Sequence, residues 1–202
     1  MMVINWSNIR YRLKEDISTK VPIAPFVIFR LWFGWMMIFT VVRFAFNGWI
    51  RQLYIEPSYY FTYYGLGWIQ PFSDYIMYGV FVLLAVSAIG IFLGYKYRLS
   101  TVLFFLLFTY VELIDKTNYL NHYYFISLVS FLMIFLPCAR EFSLDALTKG
   151  SLNEVSKFYL YLIRVQVGLV YFFAGLAKVN YTWLIQALPL KMWLGALVHK
   201  PL

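Results

Sequence analysis

The chain has 202 residues, of which 62% are hydrophobic, 22% aromatic and only 13% charged, and its mean hydropathy is +0.70. That composition excludes a soluble globular domain and describes a polytopic α-helical membrane protein. The formal charge of +8 does not describe a nucleic-acid binder, because the basic residues are not gathered with stacking aromatics on one face; they flank apolar runs, as membrane topology requires.

Residues 1–22 form a basic juxtamembrane segment in which Arg10, Arg12, Lys14 and Lys20 outnumber Glu15 and Asp16. The segment is polar and does not read as a cleavable signal peptide. A transmembrane domain is expected over residues 23–202. Pro22 and Pro25 mark the entry to a first span at about residues 23–46, which contains Arg30. Such an arginine either snorkels to the head groups or pairs inside a bundle. Residues 47–73 are too polar to span but carry Trp49, Tyr54, Tyr59, Tyr60, Tyr63, Tyr64 and Trp68. With Pro57, Gly65, Gly67 and Pro71 among them, they predict an interfacial aromatic belt or a lid at the membrane surface.

A second span is expected at about residues 74–94, a tight basic turn at 95–98 and a third span at about 99–115. A fourth runs at about 122–137, a polar loop at 139–157 and a fifth span at about 158–177, before an amphipathic end rich in Trp and Leu. The prediction is an all-α transmembrane bundle of about five spans plus interfacial helices. One side then holds nine Lys and Arg: Arg10, Arg12, Lys14, Lys20, Lys96, Arg98, Arg140, Lys149 and Lys157. The other holds six, namely Arg43, Arg51, Lys116, Lys178, Lys191 and Lys200. The positive-inside rule makes the first side cytoplasmic and places residues 112–124 on the extracytoplasmic or lumenal face.

That stretch, E-L-I-D-K-T-N-Y-L-N-H-Y-Y, is a polar knot between two apolar runs. Ionisable groups at membrane depth are expensive, which makes each a functional-site hypothesis. Glu112 and Lys116 are four apart and would share one face of a helix, so they form a neutralising structural pair, or Lys116 is a desolvated amine usable as a general base. Asp115 beside it favours the charged lysine. Asn121 could cap the next helix, and His122 either faces the same cavity or anchors at the interface. A second polar seam follows in the fifth span, where Arg164, Gly168, Tyr171, Gly175 and Lys178 recur at helical spacing. The glycines there suit close helix packing, and an intramembrane Arg164 needs a carboxylate, a carbonyl or an anionic ligand. One cysteine, Cys138, permits no intrachain disulfide or CxxC pair, and with only His122 and His199 no metal is expected. Asn180-Tyr-Thr is a glycosylation sequon close to the membrane.

Three blocks, L-G-Y-K-Y-R-L-S-T-V-L-F (93–104), I-D-K-T-N-Y-L-N-H-Y-Y (114–124) and R-V-Q-V-G-L-V-Y-F-F-A-G-L-A-K-V-N-Y-T-W (164–183), carry a resemblance. Through them the chain resembles the vitamin K-dependent γ-glutamyl carboxylase family, whose membrane part is the horizontally transferred transmembrane domain. The resemblance implies that Lys116, in the D-K-T block, deprotonates reduced vitamin K of the menaquinol or phylloquinol type. Reaction with O₂ then yields a strong alkoxide base that becomes the epoxide, and the base removes a γ-proton from a glutamate whose carbanion adds CO₂. It further implies a glutamate-containing protein or peptide as partner, no metal, and Asp115, Asn121, His122, Arg164, Gln166, Tyr171 and Lys178 as cavity or substrate-binding candidates. Family carboxylases are much longer, so the chain is expected to be a fragment or a minimal core. Two other functions stay open: a quinol-dependent oxygenase that makes epoxide without carboxylating protein, and a non-enzymatic module that binds lipid or quinone.

Overall fold

A computed structural model describes residues 15–198, so most of the expected basic segment, with Arg10, Arg12 and Lys14, lies outside the described residues. Helix α1 (Ala24–Phe46) starts where the sequence turns apolar and has proline in its first turn, where a missing N–H leaves no helical bond unmade. There follow α2 (Trp49–Tyr54), α3 (Asp74–Leu93), α4 (Tyr97–Ile114), a 3₁₀ turn (Lys116–Asn118), α5 (Asn121–Met133) and α6 (Leu144–Lys149). The chain ends in α7 (Lys157–Ala177), α8 (Tyr181–Leu184) and α9 (Leu188–Val198). It divides between Tyr159 and Leu160 into two compact units.

The protein is a mostly helical, multi-pass membrane protein in which α1, α3, α4 and α7 are each long and apolar enough to cross a membrane. The fourth expected span is the difference. Over residues 122–137 the helix α5 covers only 13 residues, roughly 20 Å of rise against a hydrocarbon core of about 30 Å. It gives way to turns ahead of Pro137, which disfavours helical geometry in the residue before it. One short pairing escaped the sequence reading altogether: β1 (Lys20–Pro22) runs antiparallel to β2 (Glu154–Ser156), with Val21 opposite Val155. Asp16 and Lys157 form an ion pair beside it.

In the first unit α1 packs along α3, α3 along α4, and α4 against α5. Close approach of α1 to α3 depends on Gly34, where an added Cβ would lie 2.8 Å from the Phe92 Cα. Phe33 meets Phe104 edge-on at 5.7 Å, and Phe44 stacks on Phe81 at 5.5 Å. Phe26, Met77, Leu84, Ile91, Phe104 and Met133 are buried, whereas the equally apolar Trp32, Trp35, Phe39, Val82 and Leu106 are exposed. In lipid, side-chain fit rather than polarity selects the inward face, which is why both faces read alike in the sequence. Three buried hydroxyls are satisfied locally, Thr101 donating to the Tyr97 carbonyl, Ser130 to Ser127 and Ser143 to Ala139, whereas Thr109 Oγ1 is buried with no partner among the described residues.

Arg30 does not snorkel. It is 1% exposed, and its Nη2 donates to the Phe142 carbonyl at 2.6 Å. Its Nε and Nη1 are buried with no partner among the described residues. The guanidinium lies against the end of α3, where Gly94 takes φ +63°.

Candidate functional site

The polar knot folds as a turn between two helices. Helix α4 ends at Ile114, and Asp115 is extended (φ −141°, ψ 115°). Its buried carboxylate accepts from the Thr117 N–H at 2.9 Å and the Thr117 hydroxyl at 2.8 Å. Asp115 is thereby a cap that shapes the 3₁₀ turn, and the same break in the helix removes Lys116 from the face that Glu112 occupies. The spacing-based pair of Glu112 with Lys116 does not form. The Ser127 hydroxyl instead donates to Glu112 Oε2 at 2.6 Å, and Oε1 is buried without a partner.

Lys116 is held by its backbone, whose N–H donates to the Phe61 carbonyl at 2.9 Å. This bond brings the aromatic stretch down onto the knot. The Lys116 side chain is exposed, and among the described residues no carboxylate stands within 4 Å of its amine. Asn121 does not cap α5: the N-cap position is Leu120, with no side-chain bond. His122 is exposed and packs its ring edge-on to Tyr123 at 4.6 Å.

Three cavities surround this turn. One of about 490 Å³ is walled by Tyr63, Phe105, Tyr119, Tyr124 and Phe131, with Glu112 and Ser127 as polar groups. A narrow one of about 40 Å³ lies between Phe44, Tyr54, Phe81, Phe108, Glu112 and Asn118. A third, of about 390 Å³, has Trp49, Tyr54, Thr117, Asn118 and Tyr123 in its lining. Glu112 is common to the first two and Asn118 to the last two. Burial raises the Tyr54 phenol above its ordinary value. Burial also raises Tyr63, with help from the Glu112 charge, so both phenols remain O–H donors at neutral pH. Glu112 was legible as a helical partner for Lys116 and not as a cavity residue. Its place in two cavity walls comes from the packing of α4 on α5.

The second unit holds the other expected residues. Arg164 and Tyr171 are exposed on α7, and Gln166 is half-buried. An added Cβ at Gly168 or Gly175 would meet nothing within 4 Å among the described residues. Lys178 follows the helix end and sets its amine over the Trp183 ring at 5.2 Å. Asn180 caps α8 by accepting from the Trp183 N–H at 2.9 Å. The residues of each expected seam thus remain together in one unit, with Lys116, Asp115, Asn121 and His122 in the first and Arg164, Gln166, Tyr171 and Lys178 in the second.

The family model of the HTTM domain matches residues 19–202. No solved structure matches the chain.

Proposed function

The chain belongs to the HTTM family, the horizontally transferred transmembrane domain found in vitamin K-dependent γ-carboxylase, and on that premise we propose a carboxylase-like membrane enzyme with Lys116 as its initiating base. The observation that carries this reading is the setting of Lys116. Its backbone is fixed on both sides, by the Asp115 cap and by the bond to Phe61, and its amine has no carboxylate partner among the described residues. A positioned lysine without an ion-pair partner is available to a substrate hydroxyl, and geometry is the first requirement of a general base.

The chemistry of the lining fits a ring-bearing lipid quinol. The 490 Å³ cavity is within the usual range of ligand clefts, about 300–1,000 Å³. Its walls are aromatic, and its carboxylate and hydroxyl can engage a ring oxygen. When bound, reduced vitamin K supplies, with O₂, the base strength needed to remove a glutamate γ-proton before CO₂ adds. Lys116, which stands at the adjoining turn and not in the lining of this cavity, takes the quinol proton that starts the sequence. Glu112 and Ser127 orient the ring, and the aromatic stretch is tied to the turn through the bond from Lys116 to Phe61. The acceptor is a glutamate-containing peptide or protein.

The test uses membranes containing the full chain, reduced vitamin K and labelled CO₂, with a glutamate-containing peptide as acceptor. Quinol-dependent label in the peptide is expected, falling by about 10² or more in Lys116→Ala. Epoxide without fixed label would replace the carboxylase reading by the oxygenase. Quinone binding without turnover in well-folded protein would reduce the chain to a binding module.

A further inference from the structure

A different cavity, of about 830 Å³, lies at the other end of α4 from the knot. Lys96 and Lys116 bracket that 18-residue helix, so the two ends are about 27 Å apart. The cavity is formed by the start of α4, the residues after α5, helix α6 and strand β2, all within the first unit. Its charged lining is Lys96, Arg98, Arg140 and Lys149 against Asp145 and Glu154. The acids do not neutralise it evenly. Asp145 is already committed, accepting from the Lys96 and Tyr97 backbone N–H groups at 3.0 Å each and pairing with Lys149 at 3.5 Å. Among the described residues no carboxylate lies within 4 Å of Lys96, Arg98 or Arg140. Three cations without a carboxylate partner therefore share one hollow with a single uncommitted acid, Glu154, and Lys96 also sets its amine over the Tyr95 ring at 5.7 Å.

The remaining wall is mostly apolar, with Leu99, Leu136, Leu152 and Val155 beside Ser156, Tyr97 and Tyr159. The hollow stands where α4 begins and α5 has ended, the depth at which helices leave hydrocarbon for head groups. We propose that it binds the phosphate of an anionic phospholipid, the arginines engaging the phosphate oxygens and the apolar wall the first carbons of the acyl chains. Arginine suits this role because its planar fork pairs two phosphate oxygens at once, and basic hollows between transmembrane helices are where such head groups are held. A free phosphate would use the same arginines but leave the apolar wall without a partner.

The experiment is native mass spectrometry and thermal unfolding of the full chain in neutral detergent, titrated with phosphatidylglycerol, phosphatidylcholine, or water-soluble glycerol phosphate. Phosphatidylglycerol should be retained about tenfold or more over phosphatidylcholine, and should raise the unfolding midpoint. In Arg98→Gln/Arg140→Gln that preference should vanish, and in Glu154→Gln it should grow. Arg43→Gln/Arg51→Gln, which removes the same charge at the other end, should keep it. Glycerol phosphate that reproduces the midpoint shift alone would retain the phosphate site but assign it to a soluble ligand. No preference in the parent chain, or equal loss in both double variants, would overturn the proposal, since the second pattern reports net charge alone.

Discussion

Arg30 lies two turns into α1, and the sequence left two fates for it, reaching out to head groups or turning inward. The fold turns it inward, because Gly94 at the end of α3 leaves room that any side chain would fill. An added Cβ at Gly94 would stand 1.9 Å from Arg30 Nη1 and 2.4 Å from the Ser143 Cβ, on a backbone already at φ +63°. Gly94→Ala therefore combines a left-handed conformation with a steric clash, and should destabilise by at least about 2 kcal/mol. Thermal unfolding in detergent reads this directly, and an unchanged midpoint would show that the guanidinium swings aside. Cys138 is another buried group nearby. Burial pushes its thiol up to about 12, so no thiolate is present at neutral pH and maleimide should leave the folded chain unlabelled.

The stretch after α2 was legible as aromatic and interfacial, and its composition could not choose between an anchor and a cover. Two hydrogen bonds decide its placement. Lys116 donates its backbone N–H to Phe61, and the Tyr110 hydroxyl donates to the Gln70 carbonyl at 2.8 Å. Tyr60 belongs to the same stretch, and burial together with the Asp115 and Asp74 charges holds its phenol above the ordinary range. Tyr110→Phe removes one tether while keeping the ring against Phe72. The expected loss is about 1 kcal/mol, seen as faster amide exchange over residues 56–72 with the helices unchanged. Uniformly faster exchange across α3 and α4 would mean that the bond supports the bundle rather than the stretch.

At the scale of the whole molecule, the distribution of Lys and Arg predicts that the knot faces away from the cytoplasm, and α5, although short, carries the chain back along α4, its end meeting Tyr97 at the start of that helix. Single cysteines at Asn118 and Thr148 test this, since the native Cys138 is expected to stay silent. Asn118→Cys should label from outside intact cells and Thr148→Cys only after permeabilisation. The reverse pattern would put Lys116 on the cytoplasmic face and move the basic hollow to the outer one. Both tagged positions lie in the first unit, so the result does not depend on α7.

Apolar length is a local property, so the spans at α1, α3, α4 and α7 could be read from residue order alone, nearly to their ends. The D-K-T turn could be found the same way, because acids and a lysine between apolar runs are conspicuous wherever they occur. Partners were not legible. Helical spacing joined Glu112 to Lys116, but the Asp115 cap ends the helix between them, and the packing of α5 on α4 gives Glu112 to Ser127 instead. The expected cap at Asn121 failed for a similar reason, the chain entering α5 one residue earlier than a cap there would need. The basic hollow was visible only as scattered charges until β2 and α6 were folded beside the start of α4. Residue order settles which segments enter the membrane, because transfer free energy sums along the chain. The tertiary structure settles which polar groups meet, because that depends on where each helix stops and on what packs against it.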